Sequence, residues 1–153
     1  MGLMRFSFLI TILLSLACVH ADDRKPVRPA SSSPAGPYTP GILAGGTLYV
    51  SGQIGRDATG KIAESFEDEV KQCLENAGTV LKEAGYAFSD AVTVQVYLTD
   101  MTLFERMNKV YLTYFPEPRP ARTTVGVAKL VGTARIEITV TAWKNTAGKT
   151  RKK

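Results

Sequence analysis

Histidine and cysteine are nearly missing from this chain of 153 residues, which carries one His, His20, and two Cys, Cys18 and Cys73. Both His20 and Cys18 sit in an N-terminal stretch with the build of a targeting peptide. Met1 to Met4 and the cation Arg5 precede an apolar run, Phe6 to Val19, interrupted by Ser7, Thr11 and Ser15. The run is short for a bilayer span. It leads to Val19-His20-Ala21 and then to Asp22-Asp23, the pattern of a secretory signal peptide cleaved after Ala21. Lipidation at Cys18 ranks below this reading, because Ser15 stands where that signal usually has an aliphatic residue; retention as a membrane anchor ranks last.

Removing the first 21 of 153 residues leaves 132, with no histidine and only Cys73. An intramolecular disulfide, a His-dependent nucleophilic triad and a Cys/His metal cluster are thereby excluded from the mature chain. Chemistry falls to Arg, Lys, carboxylates, hydroxyls, backbone groups and water. Excess positive charge is also scarce outside one place. The net charge of +5 drops to +4 with Arg5, and Lys149, Arg151, Lys152 and Lys153 crowd the last five positions. This is a basic tail, not an aromatic-laced basic face, so no nucleic-acid partner is expected. No metal, and no membrane contact after cleavage, is expected either.

What remains describes one domain. Residues 22–36, rich in Pro, Ser and Ala, read as a flexible segment without a core face of its own. Residues 37–144 hold the domain, and 145–153 the tail. Tyr38 to Ala44 and Thr47 to Ile54 form a predicted hairpin about Gly45-Gly46, with Leu48, Val50 and Ile54 alternating against Tyr49, Ser51 and Gln53. Ser65 opens a helix, with Asp68 three positions on, and Gly85 closes it; Cys73 lies in its apolar stripe as a buried thiol. A strand follows over Ala91 to Leu98, with Val92, Val94, Val96 and Leu98 on one face. Thr102 and Glu105 form a capping box for a second helix, in which Phe104, Met107, Tyr111 and Tyr114 recur before Pro116. Ala121 to Ala128 and Ala134 to Trp143 add two strands. The order β-β-α-β-α-β-β implies an α+β layer, with two helices on one face of a sheet.

Alternate positions place Tyr49, Ser51, Gln53, Arg122, Thr124, Glu137, Thr139, Thr141 and Trp143 on the other face. Such a mixture suits packing against another copy of the chain. On this reading Arg122 and Glu137 face the same way, and geometry alone favours an ordinary ion pair between them. A planar guanidinium can instead grip a substrate carboxylate beside an acid that orients water. Two motif matches fail. Gly148-Lys149-Thr150 has Trp143 where a phosphate loop needs its first glycine, and Gly41 to Gly46 lacks the spacing of a dinucleotide site.

Gly36-Pro37-Tyr38, Ser51-Gly52-Gln53-Ile54, Asn108, Pro120-Ala121-Arg122 and Ile136-Glu137-Ile138 stand in the order and approximate spacing of the RidA/YjgF family, also called the L-PSP group. The chain resembles that family from about Ser33 to Lys144. The resemblance implies a fold similar to chorismate mutase, assembled as a homotrimer, and hydrolysis of 2-imino acids or their enamines, of the 2-iminobutanoate and 2-iminopropanoate type, to 2-keto acids and ammonia, without a cofactor. It further implies that Arg122 binds the substrate carboxylate, that Glu137 handles water or departing ammonia, and that Tyr38, Ser51, Asn108 and the chain around Thr124 line a cleft between subunits. Thr124 departs from the cysteine that some deaminases carry there. A non-catalytic ligand-binding or holdase-like trimer is the alternative, with RNA cleavage a weaker third. Export sets this chain apart from a family whose usual substrates arise in the cytosol.

Overall fold

A computed structural model describes residues 24–30 and 37–145. The expected leader, part of the expected flexible segment and nearly all of the basic tail lie outside the described residues. Eight elements follow one another: β1 (Arg24–Val27), β2 (Gly41–Ala44), β3 (Thr47–Ile54), α1 (Phe66–Glu83), β4 (Ala91–Leu98), α2 (Phe104–Tyr111), β5 (Ala121–Gly126) and β6 (Ile136–Trp143). The strands make one sheet in the order β1-β2-β3-β6-β4-β5. Only β4 and β5 run parallel; every other neighbouring pair is antiparallel. Both helices cover one face of the sheet, so the architecture is the expected α+β layer.

Strand β1 adds to the expected order. Its four residues pair in register with β2, from Arg24 opposite Ala44 to Val27 opposite Gly41. Only Val27 is buried, and one apolar residue in four gives no strand period to read. Backbone pairing to an otherwise open edge supplies what the side chains do not. Gly41 leaves room for this: a Cβ there would press on Val80 and lie 3.3 Å from the Cβ of Val27. β2 is shorter than the expected Tyr38 to Ala44, since Pro40 has no N–H for the ladder, although its carbonyl still accepts from Ser51 N at 2.9 Å.

Helix α1 begins where its cap dictates. Ser65 Oγ accepts from Asp68 N at 3.3 Å, and Gly85, at φ 76°, carries the chain out in the left-handed region. The stripe Phe66, Val70, Cys73, Leu74, Ala77, Val80 and Leu81 is fully covered by the sheet. The Cys73 thiol donates to Gln53 O at 2.9 Å, and burial pushes its pKa far up. It is a packing residue, not a nucleophile. Glu69, also fully buried, accepts from Arg135 N at 2.7 Å and from Arg135 Nε at 2.5 Å. This pair ties the first turn of α1 to the start of β6.

The second helix starts differently from expectation. Asp100, not Thr102, is the capping side chain: its carboxylate accepts from Thr102 N at 2.8 Å and from Thr102 Oγ1 at 2.7 Å. An ionised carboxylate is the stronger acceptor, and the Thr102 hydroxyl is turned toward it as a donor. A single 3₁₀ turn, Met101–Leu103, then leads into α2. α2 ends at Tyr111, so Tyr114 and Phe115 pack from the turn beyond it, edge-on to Phe88 at 5.4 and 5.0 Å.

Candidate active site

Register decides which side chains can meet. In the parallel pair β4/β5, Val94 aligns with Arg122 and Val96 with Thr124. Val94 and Val96 are buried beneath the helices, and aligned neighbours share a face. Arg122 and Thr124 therefore point to the helix side, not to the open face that alternation suggested. Alternation separates two faces but does not name them, and β5 is an edge strand whose other side chains are too polar or too exposed to mark the core.

On the helix side Arg122 is held by α2. Its guanidinium carbon lies 4.6 Å from the ring centre of Tyr111 and 5.6 Å from that of Phe104, an aromatic platform for a planar cation. Sequence periodicity took both rings as core, which for Tyr111 is half the truth. Beside the platform opens a cleft of about 410 Å³, lined by Glu105, Asn108, Tyr111, Leu112, Arg119, Pro120 and Arg122. Arg119 is paired with Glu117. Among the described residues no carboxylate pairs with Arg122. Burial raises the pKa of Tyr111, an effect opposed by the charges of Arg122 and Arg119. The Tyr111 hydroxyl and Thr124 Oγ1 are both buried, and neither has a hydrogen-bond partner among the described residues.

Glu137 occupies the opposite face. It aligns with Tyr97 on β4 and with Ile54 on β3, while its neighbour Ile138 aligns with buried Val96. The expected ion pair between Arg122 and Glu137 therefore does not form within the chain. A bulge between Val50 and Gln53 resets β3: Gln53 aligns with Ile138 on the helix side, and Ile54 with Glu137 on the open side. Both assignments reverse the simple alternation, because one extra residue flips every position after it. Gly52, inside the bulge, is the floor for the acid; a Cβ added there would fall on the Glu137 carboxylate. A glycine interrupting a strand pattern was the sequence signal for this close approach. Ser51 Oγ donates to Thr39 O at 2.6 Å, so Ser51 fixes the segment that carries Tyr38, whose side chain is 57% exposed. The six residues expected to form one site thus fall into two groups. Asn108, Arg122 and Thr124 lie by the cleft, and Ser51 and Glu137 lie at the bulge, with Tyr38 on the loop that Ser51 holds.

The open face around Glu137 is lined by aromatic and hydroxyl groups. Tyr49 and Trp143 are 53% and 51% exposed, and Thr139 donates to Gln95 Oε1 at 3.0 Å. Among the described residues no three His, Cys, Asp or Glu come together as a metal ion would need.

A family model described as Endoribonuclease L-PSP matches residues 29–144. The chain belongs to the RidA/YjgF family. Within this family it is 44% identical over 113 residues to a RutC family protein of Pyrococcus horikoshii, covering 72% of this chain and 90% of that one. It is 37% identical over 112 residues to a 2-iminobutanoate/2-iminopropanoate deaminase of Dermatophagoides farinae, covering 72% and 88%. Among solved RidA-family structures, Escherichia coli TdcF with bound serine superposes with a TM-score of 0.73 at 31% identity, over 78% of this chain and 99% of that one. The RidA fold, a mixed six-stranded sheet backed by two helices, is the fold observed here.

Proposed function

We propose that this protein hydrolyses 2-imino acids and their enamine tautomers to 2-keto acids and ammonia. One observation carries the reading. Arg122 is seated on an aromatic platform at an open cleft, with no carboxylate of its own chain to neutralise it among the described residues. A guanidinium so placed is a fork for a planar anion, and a family relative is named for substrates that carry a carboxylate. In the proposed reaction Arg122 holds the carboxylate and Asn108 orients the substrate from the cleft wall. Water adds to the imine carbon as Glu137 takes one water proton and returns it to nitrogen, giving a carbinolamine. Glu137 then passes the carbinol O–H proton to the same nitrogen as the C=O bond forms and the C–N bond breaks. One water enters and one ammonia leaves. The imine carbon is already electrophilic, so the reaction needs no cofactor.

Arg122 and Glu137 lie on opposite faces of one sheet, so a site containing both takes Arg122 from one copy and Glu137 from another. The half-exposed Tyr49 and Trp143, with Val125 at 40% exposure, supply an apolar face for that assembly. A cyclic homotrimer, each copy giving one half-site to each neighbour, fits this division. The reading also includes export. Cleavage after Ala21 leaves β1 whole, and N-terminal sequencing of secreted material should begin at Asp22; full-length protein confined to the cytosol would overturn it.

The activity is tested by generating imines in situ from threonine or serine with a pyridoxal-phosphate dehydratase and following ammonia release. Purified protein should accelerate release above spontaneous hydrolysis. An unchanged rate, with 2-keto acids still bound, would establish the binding protein instead.

A further inference from the structure

We propose that the Tyr111 hydroxyl is a ligand-binding group which, with Thr124 Oγ1, completes the carboxylate grip begun by Arg122. The proposal rests on the reading of Arg122 as a carboxylate clamp. Tyr111 is 2% exposed. Its ring stacks on Phe115, with centroids 4.3 Å apart, and carries the Arg122 guanidinium on its face. A phenylalanine would serve both contacts. The hydroxyl is therefore not explained by packing, and a buried hydroxyl without a partner is a cost to the fold. It recurs nearby: the two buried side-chain polar atoms that lack partners among the described residues are Tyr111 OH and Thr124 Oγ1. One is on the ring that carries Arg122, and the other is two residues beyond Arg122 along β5 on the same face.

The chemistry of the neighbourhood selects the ligand. Burial keeps the Tyr111 phenol protonated at neutral pH, so it is a donor. The guanidinium beside it has donors only and cannot accept its proton. A carboxylate gripped by Arg122 brings the missing acceptor. Its two oxygens offer about four lone-pair sites, of which a bidentate arginine takes two, leaving two for two hydroxyls. A carboxylate thus offers acceptors to the guanidinium fork and to both hydroxyls at once, whereas a neutral carbonyl, with one oxygen, does not. The subsite is accordingly selective for 2-imino and 2-keto acids over their amides and esters.

The test uses the full-length protein with the substitutions Tyr111→Phe and Thr124→Val, each removing a hydroxyl at nearly constant shape. Calorimetric titration with 2-oxobutanoate gives Kd, and thermal unfolding without ligand gives Tm. Each variant should bind about ten-fold more weakly, while Tm stays the same or rises. A lowered Tm with unchanged Kd would show that the hydroxyls serve the fold or a contact between copies, and would overturn the proposal. Arg122→Ala separates the layers. If it abolishes binding and both hydroxyl variants bind like the unmodified protein, the clamp reading stands and this proposal falls. If Arg122→Ala binds like the unmodified protein, or the unmodified protein does not bind 2-oxobutanoate, both fall.

Discussion

Arg122 owes its orientation to neighbours that carry no charge. A guanidinium on an edge strand has open solvent available, yet here it lies over the rings of Tyr111 and Phe104, which restricts its freedom before any ligand arrives. Arg122→Lys keeps the charge and loses the fork, so 2-keto-acid affinity should fall while Tm hardly moves. Arg122→Ala should cost a charge-assisted contact of roughly 1.5–3 kcal/mol, one to two powers of ten in Kd by titration calorimetry. Retained affinity would remove Arg122 from the site. Glu137 makes the complementary case. Glu137→Gln should leave keto-acid binding intact and slow turnover by about 10²–10⁴-fold, the usual weight of a general base. Gly52→Ala should do the same by displacing the carboxylate from its floor. If both variants turn over normally, Glu137 is structural. The motif positions of these residues were legible in the sequence, but their faces were not. Thr124 and Gln53 were both assigned wrongly, because a parallel register and a bulge are properties of strand pairing, and pairing is not written in one strand's alternation.

Elements were legible wherever the signal was local. Ser65, the stripe from Phe66 to Leu81 and Gly85 specify α1 from its own residues, and the structure follows them. Strand β1 exists only through its partner, and Asp100 rather than Thr102 caps the 3₁₀ turn that leads into α2, a choice that spacing alone does not rank. Between the helices, Arg106 holds Glu67 with two bonds, Nε to Oε1 at 2.7 Å and Nη2 to Oε2 at 2.6 Å. That hydrogen bonding takes the Glu67 carboxyl from its ordinary 4.5 to about 2. The folded state thus favours the ionised acid more than the unfolded state does. The stabilisation from this pair is complete above about pH 4.5 and is lost as pH falls toward about 2. Thermal melts over that window should decline for the unmodified protein and decline less steeply for Arg106→Ala. Equal slopes would show that the pair contributes nothing, as exposed ion pairs often do.

For the molecule as a whole, the decisive feature is that one sheet separates the two groups the chemistry needs. Arg122 looks toward the helices and Glu137 away from them, so no side-chain rotation within a protomer unites them. If a cyclic trimer builds each site from two copies, two inactive variants should repair one another. Consider Arg122→Ala and Glu137→Gln chains, differently tagged, co-expressed and purified through both tags. Every mixed trimer, whether two-to-one or one-to-two, has a single junction at which an intact Arg122 meets an intact Glu137. Its ammonia release should therefore recover to about one third of the unmodified rate per trimer, although both parents are nearly inactive. The fraction is set by symmetry, because a head-to-tail ring has three junctions and two kinds of chain fill them in only one productive order. Mixed assemblies no more active than their parents would mean that Arg122 and Glu137 do not share a site, and a stable monomer by light scattering would remove the junction itself.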